Sequence, residues 1–200
     1  TLAKAHAQLT YIFNGNEKDV RDFCKKLLGR IVFLYFIQKK GWLGVPNGSE
    51  WGQGDYHFLT NLFSHCRNPE LFYQQYLTKL FFETLNNDRS ANNDLVELIE
   101  GEFYRIPYLN GGLFEEDDPN HRSLIFDANL FKNLFEFFNQ YNFTIYEDDP
   151  NDHTVAVDPE MLGHIFENLL EDNKDKGAFY TPKEIVHYMC QESLIEYLTT

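Results

Sequence analysis

The chain has 200 residues, 43% of them hydrophobic, and a formal net charge of −14 from 31 acidic against 17 basic residues. That is enough for one sizeable domain or two small ones with a real core, and it opposes a main phosphate grip, which takes clustered Lys and Arg. The longest apolar run, Ile31 to Ile37, is far short of the roughly 20 residues needed to span a bilayer, and the first residues carry no signal-peptide pattern.

The first element runs from about Glu17 to Lys40. Val20, Phe23, Cys24, Leu27, Ile31, Leu34 and Tyr35 keep a helical stripe. Ile31 to Ile37 is apolar all round and should be buried on most sides. A buried strand is the rival for those seven residues, and the stripe before them favours helix. Gly41 is placed to end the helix as a left-handed cap, with Trp42 or Leu43 folding back on the last turn. Lys25, Lys26, Arg30, Lys39 and Lys40 form the one basic grouping and read as a solvated face. Residues 44–55, rich in Gly, Pro, Asn and Ser, should be an exposed loop. A short helix around Tyr56 to Ser64 follows. Asn68-Pro69-Glu70 then gives a cap–proline–acid start to a helix whose Phe72, Tyr73, Tyr76, Leu77, Leu80, Phe81 and Leu85 make a wide aromatic face. Asn86 to Asn93 reads as a loop and Asp94 to Glu100 as a short helix.

In Arg105-Ile106-Pro107-Tyr108-Leu109-Asn110-Gly111-Gly112-Leu113-Phe114, the Asn-Gly-Gly is a strong turn signal that permits positive φ or close backbone approach. Asp127 can cap a helix carrying Leu130, Phe131, Leu134, Phe135 and Phe138. Phe143 to Tyr146 and Thr154 to Val157 alternate weakly around an acidic turn, which suits a small hairpin at about 143–157. Asp158-Pro159-Glu160 starts a further helix, with His164 on its polar face as a surface histidine. The fold class is therefore mainly α, a multi-helix domain with at most a small β-hairpin. Its divisions are a helical domain at 1–176 and a loop and helix at 177–200.

The last stretch, Gly177-Ala178-Phe179-Tyr180-Thr181-Pro182, is a tight loop feeding a helix. Thr181 can be the N-cap and Pro182 the first helical residue. Glu184 falls three residues after the cap, which completes a capping box. Val186, Met189, Cys190, Leu194 and Tyr197 then recur on one face. Such a loop presents backbone donors and a positive dipole end that suit a carboxylate or phosphate, although a capped helix that binds nothing is the plainer reading of the same residues. The three cysteines, Cys24, Cys66 and Cys190, form no CxxC. Cys24 and Cys190 lie on apolar stripes and read as core residues, and a reducing cytoplasm fits them. Nucleophile elbows, Walker loops, HExxH and the dinucleotide fingerprint are missing. Asp172-Asn173-Lys174 has the letters of a metal-nuclease triad, but at a helix end rather than on a strand. The acids in turns, Glu115 to Asp118 among them, read as inert solvated charge. No residue is nominated as catalytic or as a metal ligand.

Three blocks together resemble large N6-adenine DNA methyltransferases, especially those fused to a nuclease in type IIG restriction–modification enzymes. They are Ile106 to Phe114, Asp158-Pro159-Glu160-Met161-Leu162-Gly163-His164-Ile165-Phe166-Glu167, and Gly177 to Pro182. The Phe33 to Leu43 segment is also similar to the helical region of that family. The resemblance implies that the last block is motif X, with Ala178, Phe179, Tyr180, Thr181 and Pro182 lining the methionine side of S-adenosylmethionine, and that the upstream helices are the connector before the catalytic domain. It further implies methyl transfer to the exocyclic amine of an adenine flipped out of the duplex, with DNA as the partner of the parent enzyme. The family's glycine-rich cofactor motif and its Asn/Asp-Pro-Pro-aromatic tetrapeptide do not occur before Thr200. The chain, which opens on Thr1, thus reads as a fragment severed from a downstream catalytic domain, neither methylating DNA nor binding the cofactor tightly by itself. A free-standing acidic helical module that docks a protein partner is the alternative.

Overall fold

The computed structural model describes residues 8, 10–89, 95–109, 112–143, 155, 156 and 183–199. The chain divides into two compact units, 1–143 and 144–200. The first unit is mainly helical with a small antiparallel sheet.

Its longest element, α1, spans Glu17–Lys39. Asn16 caps its start by accepting from the Lys18 amide at 3.0 Å, and Glu17 and Asp19 place acid at the positive end. Phe23, Leu27, Ile31, Leu34 and Tyr35 are buried, as the stripe requires. The end is a Schellman motif. The Gly41 amide donates to the Gln38 carbonyl at 2.8 Å and the Trp42 amide reaches back to Ile37 at 3.1 Å, with Gly41 at φ +67. Leu43 is the residue that turns inward, fully buried, while Trp42 stays about half exposed.

Residues 44–55 are not the simple exposed loop that their composition suggests. Val45–Pro46 forms strand β1, with Val45 buried. The chain then folds back so that Gly52 and Gly54 both donate to the Gly41 carbonyl, at 3.0 and 2.9 Å. A Cβ at Gly54 would stand 2.2 Å from the Leu43 carbonyl oxygen, so two backbones meet there with no room for a side chain. Helix α2 follows at Phe58–Ser64. Gln38, buried on α1, accepts from the Leu59 amide at 3.1 Å and joins the two helices.

Asn68 caps a 3-10 turn at Pro69–Leu71. The chain beyond it winds more loosely than an α-helix, in π-helical segments at Tyr73–Leu77 and Lys79–Leu85. Phe72, Tyr73, Leu77, Leu80, Phe81, Thr84 and Leu85 are all buried along it.

The expected helix at Asp94 to Glu100 is instead a strand. β2 (Leu95–Ile99) turns at Glu100-Gly101 into β3 (Glu102–Arg105), and β1 pairs with the other side of β3, in the order β1-β3-β2 and antiparallel throughout. Gly101 takes φ +81, and its amide is held by the Glu97 carboxylate at 2.7 Å. Five residues rich in β-branched and large apolar types prefer this pleated surface once a glycine allows the reversal. The sheet is thus larger than a hairpin and draws its third strand from fifty residues earlier.

Helix α3 (Leu130–Phe138) closes the unit. Asp127 holds the turn before it, its carboxylate accepting from the Asn129 amide at 2.9 Å. Phe131 and Phe135 pack on Phe72 and Phe63, while Phe138 and Phe143 pack on Tyr35, all at centroid separations of 5.0–5.9 Å. Strand β4 (Tyr141–Asn142) lies just before Phe143. In the second unit the described elements are strand β5 (Val155–Ala156) and helix α4 (Lys183–Thr199). The residues between the two strands, and the expected helix from Asp158, lie outside the described residues. Among the described residues no helix is long and apolar enough to cross a membrane.

Candidate functional site

Of the three blocks singled out in the sequence, one reaches the described structure. The first enters at Gly112–Phe114, a 3-10 turn whose Phe114 is buried between Phe33 and Phe81, at 6.0 and 5.7 Å. Asn110 and Gly111 lie outside the described residues. The turn continues through the acidic run into a second 3-10 turn, Pro119–Ser123, which Asp118 caps by accepting from the Asn120 amide at 2.8 Å.

Arg30 organises this region. It was expected on a solvated basic face, but it is 1% exposed, and its place on α1 explains why: it falls in phase with Phe23, Leu27 and Leu34 on the buried stripe. Its Nε donates to the Leu113 carbonyl and its Nη2 to the Glu115 carbonyl, both at 2.7 Å. The guanidinium lies over the Phe81 and Phe82 rings, 5.5 and 5.0 Å from their centroids, and 4.0 Å from the Asp117 carboxylate. Burial pulls it below its ordinary pKa, while Tyr73, Asp117 and Glu116 work the other way. A planar fork with fixed donors suits this double capture of two carbonyls better than an ammonium would.

The neighbouring acids are held too. Lys26 pairs with Asp117 at 2.6 Å. Arg122 meets Glu116 and Glu83, its Nη2 reaching Glu116 and its Nη1 reaching Glu83 at 2.9 Å each, and it lies 5.3 Å from the Phe82 centroid. The hydrogen bond that Arg122 donates to the Glu116 carboxylate is the largest influence raising the Arg122 pKa. Glu116 and Asp117 are therefore paired anchors rather than idle solvated charge. Beside them Tyr73 is fully buried, and its hydroxyl finds no partner among the described residues. Burial pushes it from the ordinary 10.0 up to about 12.

Ala178, Phe179, Tyr180, Thr181 and Pro182 lie outside the described residues, so the candidate cofactor contacts have no geometry here. The helix that they were expected to start is present, and α4 begins at Lys183 with Glu184 in its first turn. Its apolar residues Val186, Met189, Leu194 and Tyr197 are exposed, as is every described residue from Glu184 to Leu198. The block from Asp158 to Glu167, with His164, also lies outside the described residues.

Two cysteines expected in the core, Cys24 and Cys190, are exposed; on α1 the packed stripe runs through Phe23 and Leu27 and leaves Cys24 to solvent. Cys66 is buried and donates to the Asn68 carbonyl at 3.0 Å. Ser64 Oγ stands 3.5 Å from His65 Nδ1, yet both turn to the Asn61 carbonyl, at 2.7 and 2.8 Å. That is helix-end hydrogen bonding, not a nucleophile set on its base. Among the described residues no three His, Cys, Asp or Glu gather as metal ligands would.

No family model and no solved structure matches the chain. A curated protein of Methanocaldococcus jannaschii does, at 29% identity over 191 residues, which is 90% of this chain. That protein is described, provisionally, as a type II restriction enzyme and methyltransferase, and the chain spans about 15% of its length. The chain is thus similar, at a distance, to part of a protein described as both a restriction enzyme and a methyltransferase.

Proposed function

We propose that the chain supplies the helical connector and part of the S-adenosylmethionine site of an adenine-specific DNA methyltransferase of the type IIG restriction–modification kind. On this reading Ala178, Phe179, Tyr180, Thr181 and Pro182 line the methionine side of the cofactor, ahead of α4. DNA and the catalytic domain are partners met through the parent enzyme. The single observation carrying the reading is a match to a restriction enzyme and methyltransferase that runs through 90% of the chain. The helix starting at Lys183, directly after Pro182, supports it, because backbone donors at a helix start suit the cofactor's carboxylate. The net charge of −14 agrees with a part that does not itself grip the DNA backbone.

The test extends the coding sequence downstream of Thr200. A glycine-rich motif followed by Asn/Asp-Pro-Pro-aromatic within a few hundred residues is expected. The extended protein should transfer a labelled methyl group to adenine in duplex DNA, with Tyr180→Ala and Thr181→Ala raising KM for the cofactor. The 200 residues alone should transfer none and give no calorimetric signal with micromolar cofactor. Methyl transfer by the 200 residues, or a downstream sequence without those motifs, refutes the assignment.

A further inference from the structure

Residues 112–123 cross the helical body without joining any of its backbone ladders. Their described backbone hydrogen bonds are local: the Glu115 amide to the Gly112 carbonyl at 3.3 Å, His121 to Asp118 at 3.0 Å, and Leu124 to His121 at 3.2 Å. What ties them down is side chains. Arg30 holds the Leu113 and Glu115 carbonyls, Lys26 holds Asp117, Arg122 reaches out to Glu83, and Gln74 donates to the Ser123 carbonyl at 2.6 Å. Phe114 supplies the apolar plug, and His121 rests against the Phe13 and Phe23 rings at 4.8 and 5.1 Å.

We propose that residues 112–123 are an ionically latched strap, able to open as one unit while the helices beneath it stay folded. Segments held by few backbone bonds open at lower cost than the core they cover. Salt distinguishes the strap from the body by sign. The Lys26–Asp117 and Arg122–Glu83 pairs are partly exposed, with side-chain exposures of 25% and 51%, and 38% and 54%, so added salt screens and loosens them. The body belongs to a chain of net charge −14, whose self-repulsion the same salt relieves. One addition should therefore free the strap and tighten the helices. This inference stands apart from the methyltransferase reading.

The experiment is amide hydrogen exchange by mass spectrometry on the 200-residue chain in 50 mM and 1 M NaCl. Exchange across 113–123 should quicken by about five-fold or more, while Phe58–Ser64 and Leu130–Phe138 hold or slow. Asp117→Asn should quicken the strap in 50 mM salt and shrink its further response to 1 M salt. A strap that slows with the helices in high salt overturns the proposal, as does an Asp117→Asn variant whose strap exchanges like the parent's.

Discussion

Replacing Arg30 by Met tests the central contact of the molecule. The substitution removes two hydrogen bonds from a charged donor, those to the Leu113 and Glu115 carbonyls at 2.7 Å. Such bonds contribute roughly 1.5–3 kcal/mol each. Leu113 is half-buried and Glu115 exposed, so the freed carbonyls can turn to water and the loss belongs at the low end for both. Methionine keeps some contact with Phe81 and Phe82, and a buried charge no longer has to be desolvated, which returns part of the cost. The net loss should be about 2–3 kcal/mol. Urea unfolding followed by far-ultraviolet circular dichroism should show the midpoint falling by about 1 M with an unchanged slope. Arg30→Lys, which keeps the charge but not the fork, should lose about 1–2 kcal/mol. Lys25→Met, on the same helix, should stay within about 0.5 kcal/mol. If Arg30→Met also stays within that margin, the guanidinium is not what holds the turn.

Gly54→Ala should cost roughly 2–3 kcal/mol, because its Cβ would stand 2.2 Å from one carbonyl oxygen and 2.6 Å from another. Gly48→Ala, at φ +82 but with open space around it, should cost only about 1 kcal/mol; equal melting temperatures for the two would contradict the close approach. Tyr73→Phe should leave neutral-pH stability unchanged or raise it by up to about 1 kcal/mol, since the hydroxyl it removes is buried without a partner among the described residues. The folded Tyr73 keeps its proton up to about 12 against an ordinary 10.0, so its contribution is complete below pH 10 and lost as pH rises to about 12. Stability measured across that window should fall less steeply in Tyr73→Phe than in the parent. Phe135→Ala, at a site 2% exposed and ringed by Phe63, Phe72 and Phe131, should lose about 3–5 kcal/mol in the same urea assay.

Long periodic segments were legible in the sequence. Helix α1 shows its stripe over six turns and its cap in Gly41, and α2, α3 and α4 begin within two or three residues of where pattern and capping place them. Leu95–Ile99 was not legible, because five residues are too few to tell a two-residue period from a helical one and the strand β1 that completes the sheet is distant in sequence. Gly101 between Ile99 and Phe103 was the available sign of a reversal. Arg30 was misread because charge was taken as exposure, whereas its phase on the stripe said otherwise. The partners that make burial tolerable are two carbonyls more than eighty residues away, and no local pattern announces them. The block at Gly177 to Pro182 was singled out by resemblance and by its capping pattern, and it lies outside the described residues, with α4 described from Lys183.

The two tryptophans of the chain, Trp42 and Trp51, sit on the same folded-back loop, where Trp51 lies beneath the Arg105 guanidinium at 4.5 Å. Their emission is therefore a private signal of that loop. A denaturation curve recorded by intrinsic fluorescence would follow the mooring of Gly52 and Gly54 on Gly41 and stay blind to whatever happens around Phe114, so agreement between fluorescence and dichroism becomes a measurement in its own right rather than a formality.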